Sequence, residues 1–96
     1  MKIMYVYILQ CNDDSYYTGV TNDIDRRFKE HQSGSKRESY TFSRRPLKLV
    51  FHTTFNSPDK AIICEKRLKK WSHEKKKALA EGKYELLPEL SKKKFD

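Results

Sequence analysis

Cysteine is scarce in this chain, and the two present, Cys11 and Cys64, show no metal-like spacing. One falls in a strand pattern and the other in a helix pattern, which suits reduced thiols in a cytoplasmic protein, not a disulfide framework. Long apolar runs are missing too: nothing approaches the roughly 20 residues needed to span a bilayer. The N-terminus has no long apolar stretch with a cleavage site, so neither a secretion signal nor a membrane partner is expected. Only 36% of residues are apolar against 35% charged, so the core must be small and the surface ionic. Aromatics, at 12%, are expected to fill much of that core. Acids are in deficit as well, 13 against 21 bases, giving a net charge of +8. That excess favours a polyanionic partner through counterion release, although composition alone names none. There is no internal repeat and no sign of a second domain, so the 96 residues are expected to form one domain.

What is present reads as a short alternation of strands and helices. Ile3 to Leu9 is a continuous apolar run of strand length, typical of a strand buried on both faces. The turn cluster Asn12-Asp13-Asp14-Ser15 and the run Tyr16 to Val20 complete a hairpin. Thr21 or Asn22 is placed to cap a following helix, with Asp23 and Asp25 in its first turn and Gly34 just past its end. Residues 33–46 read as a loop, and from Lys36 to Lys48 there are five basic residues against one acidic, with Tyr40 and Phe42 among them. Leu47 to Phe55 resumes strand character. Ser57-Pro58-Asp59 opens a second helix, with serine as cap and proline in the first turn.

On a wheel at about 100° per residue, Ala61, Cys64, Leu68 and Trp71 form one apolar stripe, and Ile62 widens the arc. Glu65 falls inside it. A carboxylate on the sheet-facing side of a helix needs a cation, a metal or a hydrogen-bond donor. Past Ser72, Lys75-Lys76-Lys77 and Lys92-Lys93-Lys94 read as basic clusters, with a short helix between them around Tyr84 to Leu90.

Five residues carry types of chemistry that suit a phosphate diester. Tyr7 and Tyr17, on neighbouring strands of a hairpin, can bring two phenols together. A nearby cation would make a phenolate or a phenol–water relay accessible. The plainer alternative is that strand aromatics simply fill the core, as expected for Tyr5 and Tyr16. Arg27 and His31, four apart, share one helix face. The arginine presents a charged fork that fits phosphate oxygens, and the histidine shuttles protons near neutral pH. Their plainer alternative is a solvated face like that of Arg26 and Lys29. Gly19 allows close approach at a strand end, or merely turns the chain. Glu65 can anchor one Mg²⁺, or instead pair with Lys69 one turn on. His52 and His73 stand in no ligand-like pattern.

Taken together, Tyr5-Val6-Tyr7, Tyr17-Thr18-Gly19, the stretch Thr21 to His31 and Glu65 within Ala61 to Trp71 resemble the GIY-YIG nuclease family. The likeness is to its small stand-alone members and covers about residues 3–80, leaving a basic C-terminal extension over 81–96. It implies an α+β fold, a three-stranded antiparallel sheet flanked by helices in the order β-β-α-β-α-(α). It also implies metal-dependent hydrolysis of DNA, with Tyr7 and Tyr17 handling the attacking water, which of the two being the base staying open. Arg27 would stabilise the phosphate, His31 would assist, and Glu65 would hold a single Mg²⁺ or Mn²⁺. No small-molecule cofactor is implied. The first triplet departs from the pattern with Tyr5 in place of glycine, and no asparagine follows Asn56, where many members carry a late polar residue. Lys36, Arg37, Arg44 and Arg45 are expected to hold the backbone of branched, single-stranded or duplex DNA, with Tyr40 or Phe42 stacking on an unpaired base. No dedicated recognition domain is visible, so low sequence specificity is expected, in repair or recombination. The rival readings are a module of the same fold that binds without cutting, and an adaptor for an acidic protein.

Overall fold

A computed structural model describes residues 3–83. The expected hairpin is there as β1 (Met4–Gln10) and β2 (Tyr16–Thr21), followed by α1 (Ile24–Ser33), β3 (Lys48–Phe55), α2 (Pro58–Lys69) and α3 (His73–Ala80). The sheet is antiparallel throughout, in the order β2-β1-β3. β1 is therefore central, which is why its apolar run is unbroken. Alternate residues of this strand serve two different cores. Val6 and Ile8 pack with Ala61, Leu68 and Leu79. Tyr7 and Leu9 pack with Cys11 and Leu47, alongside Ile24 and Phe28 of α1.

The hairpin turn is held locally. Ser15 donates through both its amide and its hydroxyl to Asp13 Oδ1, at 3.1 and 2.6 Å. Asp14 takes the left-handed conformation at φ 65°, one that Asp tolerates.

Helix α1 is capped one or two residues later than expected. Asp23 accepts from the Arg26 amide at 3.1 Å, while Thr21 Oγ1 accepts from the Asp23 amide at 3.1 Å. Thr21 thus braces the entry to the helix and Asp23 caps it. Gly34, at φ 70°, ends the helix, donating to His31 O.

The stretch read as a loop is firmly anchored. It contains a 3₁₀ turn, Phe42–Arg44, and the Gln32 amide brackets Leu47, donating to its carbonyl at 3.0 Å and accepting from its N–H at 2.8 Å.

Helix α2 begins as expected, with the Ser57 hydroxyl accepting from the Lys60 amide. It packs along the line Ala61, Glu65, Leu68, spaced four and three apart. Ile62, expected to widen the buried arc, lies about 100° off that line and is exposed, as is Ile63.

Helix α3 is a third helix, as in the expected order, but it forms over His73–Ala80, where the sequence reads as a basic cluster. Ser72 caps it, accepting from the Lys75 amide at 3.2 Å, and Ala78 and Leu79 are buried. Lys75 is consequently not part of a solvated cluster: it is buried, with Nζ 4.2 Å from the centre of the Trp71 ring. The helix expected around Tyr84 to Leu90 and the Lys92–Lys94 cluster lie outside the described residues. Among the described residues, no helix is long and apolar enough to cross a membrane.

Candidate active site

The site is built where α1 crosses the β1–β2 hairpin. Tyr7 is only 2% exposed, and its hydroxyl lies 3.1 Å from His31 Nε2. Tyr17 meets the same imidazole edge-on at 5.1 Å between ring centres, and the two tyrosine rings are 6.4 Å apart. Gly19 pairs directly with Tyr7 across the hairpin. A Cβ at position 19 would collide with the phenol hydroxyl and come within 2.5 Å of Cζ. The second triplet therefore needs its glycine to let the first triplet's tyrosine lie flat across the strand.

The electrostatics of this group follow from burial and neighbours. Burial pushes the Tyr7 phenol up to about 12, with coupling to the neighbouring Tyr17 phenol and the charge of Glu65 adding to the rise. The Arg27 guanidinium opposes it, through a hydrogen bond to the phenol and through its charge. His31 moves the other way: burial lowers its pKa, helped by Arg27 and Lys36, while Glu30 pulls it back. Near neutral pH the pair is thus a neutral phenol facing a neutral imidazole. Arg27 also reaches Glu30 at 3.4 Å, yet its Nε is buried without a hydrogen-bond partner among the described residues.

The other ring nitrogen of His31 is held by a residue that sequence reasoning missed. Thr41 is fully buried, and its Oγ1 lies 2.8 Å from His31 Nδ1 and 3.2 Å from Ser39 Oγ. No local pattern marks this threonine, because the contact depends on residues 35–46 folding back over α1.

Glu65 is carried by α2, which packs on β1 and β2. It is 9% exposed, and its charge is felt at Tyr7. The plainer alternative for this carboxylate is present too: Lys69 Nζ lies 2.7 Å from Glu65 Oε2. Among the described residues no three His, Cys, Asp or Glu side chains gather to hold a metal. A divalent ion here would have one carboxylate and complete its shell with water and phosphate oxygens, as Mg²⁺ commonly does. A nearly buried carboxylate that already attracts a cation fits that demand.

The residues expected to contact nucleic acid divide into two kinds. Lys36 and Arg37 are exposed, and Lys36 lines the same recess as Arg27 and His31. Tyr40 is exposed and stacks against Tyr17 at 6.1 Å. It helps wall an open cleft of about 230 Å³ that Thr18, Lys69 and Lys76 also line. Arg44 and Arg45 are half-buried and also bond within the protein. Arg44 donates to Asp13 Oδ2 and Tyr40 O, at 3.1 and 2.8 Å, with its guanidinium 3.9 Å above the Tyr40 ring. Arg45 donates to Phe42 O and Gln32 O, at 2.9 and 3.1 Å. These two fasten the segment to the hairpin turn and to α1. His52 stands apart, exposed and beside Tyr5.

Comparison with known proteins points to one family. Residues 3–78 match the family model described as the GIY-YIG catalytic domain. The UPF0213 protein BH0048 of Halalkalibacterium halodurans is 46% identical over 90 residues, covering 91% of this chain and 95% of its own. YazA of Bacillus subtilis, also a UPF0213 protein, is 38% identical over 79 residues, 82% of this chain and 79% of its own. The solution structure of BH0048 superposes with a TM-score of 0.53 at 44% identity, over 82% of this chain and 83% of that one. The solution structure of EF2693 from E. faecalis gives 0.59 at 30% identity, over 88% of each chain. The fold, the paired tyrosine triplets and this match over most of the length place the chain in the GIY-YIG family.

Proposed function

We propose that the protein is a metal-dependent endonuclease that hydrolyses DNA phosphodiesters with low sequence specificity, selecting by structure in repair or recombination. The observation that carries this reading is the buried Tyr7 phenol, its hydroxyl 3.1 Å from His31 Nε2 and beside Arg27, whose Nε still lacks a partner among the described residues. Such a group is arranged to move a proton beside a negative oxygen.

A water at the Tyr7 oxygen gives up its proton there while the phenol proton passes to His31 Nε2. The phenol is never a free phenolate, so its pKa of about 12 is no obstacle. The nascent hydroxide forms the new P–O bond, the opposite P–O bond breaks, and the leaving alkoxide is protonated by solvent. Arg27 neutralises charge gathering on the phosphate oxygens, where a fixed donor counts most. Glu65 would hold the Mg²⁺ or Mn²⁺, which when bound supplies Lewis-acid stabilisation and orients the phosphate. Tyr17 shields the imidazole edge. Lys36, Arg37 and the face of Tyr40 receive the DNA backbone and an unpaired base.

A metal-supplemented cleavage screen over duplex, flap, junction and single-stranded DNA tests the reading, with Glu65→Gln alongside. Cutting by the parent protein and none by the variant is the expected result. The Glu65–Lys69 ion pair favours a second reading, a module that grips nucleic acid without cutting, since it engages the carboxylate already. Salt-dependent DNA binding with no cleavage in either metal would decide for it.

A further inference from the structure

We infer that Thr41 is a positioning residue that fixes the tautomer of His31, so that Nε2 stays unprotonated and faces the Tyr7 hydroxyl. Its consequence for cleavage rests on the nuclease reading; its effect on the imidazole does not.

The inference follows from which groups can donate. A guanidinium has no acceptor, so Arg27 can only donate to the Tyr7 oxygen. Tyr7 is 2% exposed, and the hydrogen bond the structure gives its hydroxyl runs to His31 Nε2, at 3.1 Å. A neutral imidazole accepting at Nε2 carries its proton on Nδ1. That proton points at Thr41 Oγ1, 2.8 Å away, and the Thr41 hydroxyl hydrogen is then free to go to Ser39 Oγ at 3.2 Å. Every donor has an acceptor in this one direction, Tyr7 to His31 and on through Thr41 to Ser39. Reversing it would leave the buried phenol proton without a partner, at a cost of about 1–3 kcal/mol.

Thr41 is itself immobilised. It is fully buried, its carbonyl accepts from the Arg44 amide at 3.0 Å, and the next residue's carbonyl is held by Arg45. Arg45, read from sequence as a DNA contact, thus helps hold in place the segment that carries Thr41.

Long-range proton–nitrogen spectra of the ¹⁵N-labelled full chain at pH 8, without metal or DNA, test this directly. His31 is assigned by loss of its signals in His31→Gln. Expected in the parent protein are a protonated Nδ1 and a pyridine-like Nε2. Thr41→Val should move both shifts toward the averaged values of a free imidazole, and Thr41→Ser should restore the parent pattern. If cleavage is observed, Thr41→Val lowers kcat by roughly tenfold, with KM for DNA unchanged. A protonated Nε2 in the parent protein would overturn the inference even if no variant folds. So would unchanged His31 shifts in folded Thr41→Val. A protein that cuts no DNA yet shows the expected nitrogen pattern would remove the nuclease reading and leave the tautomer assignment standing.

Discussion

The two faces of the sheet are built on opposite principles although one strand supplies both. Toward α2 and α3, β1 offers Val6 and Ile8, which meet Ala61, Leu68 and Leu79 in non-directional apolar packing. Toward α1 it offers Tyr7 and Leu9, and there the contacts become directional: phenol to imidazole, imidazole to hydroxyl. The first face tolerates change in shape at a cost in stability. The second tolerates little change in position at any cost. Cavity size does not separate them usefully. A hollow of about 530 Å³ lies on the apolar side between Phe51, Phe55, Ile63 and Trp71, and neither Tyr7 nor His31 lines it.

A matched pair of substitutions should break the comparison most sharply. Ile8→Ala is expected to cost about 2–5 kcal/mol of unfolding free energy in denaturant titration, with kcat of the folded fraction unchanged. Arg27→Ala should do the reverse, lowering kcat by roughly 10²–10³-fold while the denaturation midpoint barely moves. If both variants lost stability and rate in proportion, the two faces would not be separable.

Gly19→Ala probes the seam. The new methyl would strike the Tyr7 phenol, which is buried and must shift to make room. Overpacking of this kind costs about 1–3 kcal/mol. The expected signature is a loss of kcat larger than that of any other single-methyl addition to β2, because the phenol leaves His31 Nε2. Unaltered cleavage would mean the phenol oxygen need not sit at that point.

Acidification should act on the directional face. Burial depresses the pKa of His31 below 6.5, Arg27 and Lys36 reinforce the shift, Glu30 opposes it, and Tyr7 and Tyr17 face the ring from the hairpin. The unfolded chain therefore binds a proton at higher pH than the folded one, so stability falls as pH drops below about 6.5. The acid limb of kcat should lie below that pH as well, since the imidazole must be neutral to accept. A His31→Gln variant with the same acid-induced loss of stability would assign the effect elsewhere.

Much of this contrast is already visible in the amino-acid order. The unbroken run at Ile3 to Leu9 marks a central strand, and Ser57-Pro58 marks the start of α2. Glu65 stands out because it falls between Ala61 and Leu68 on the buried line. What stays hidden depends on contacts between distant residues. Thr41 gains its role only because Gln32 and Arg45 pull residues 35–47 back onto α1. A segment with that many charges reads as solvated when taken alone. The place of helix α3 is hidden for a similar reason: its Lys75-Lys76-Lys77 looks like a surface cluster until Trp71 is in place to cover Lys75. Propensity is local, and these are tertiary effects.

The smallest expected effect concerns the cation that already attends Glu65. Lys69 Nζ is 2.7 Å from the carboxylate, with its side chain 55% exposed, so the ion pair itself should contribute at most about 1 kcal/mol. Its interest lies in competition. The ammonium and a divalent ion seek the same oxygens, and the lysine also lines the cleft beside Tyr17 and Tyr40. Lys69→Met should leave the melting temperature within a few degrees of the parent and tighten Mn²⁺ binding a few-fold, read by the free-ion EPR signal without DNA. Glu65→Gln should remove that binding. Weaker binding in Lys69→Met would mean instead that the lysine aims the carboxylate at the metal, and the ion pair would then belong to the directional face, not to a resting state that the metal must displace.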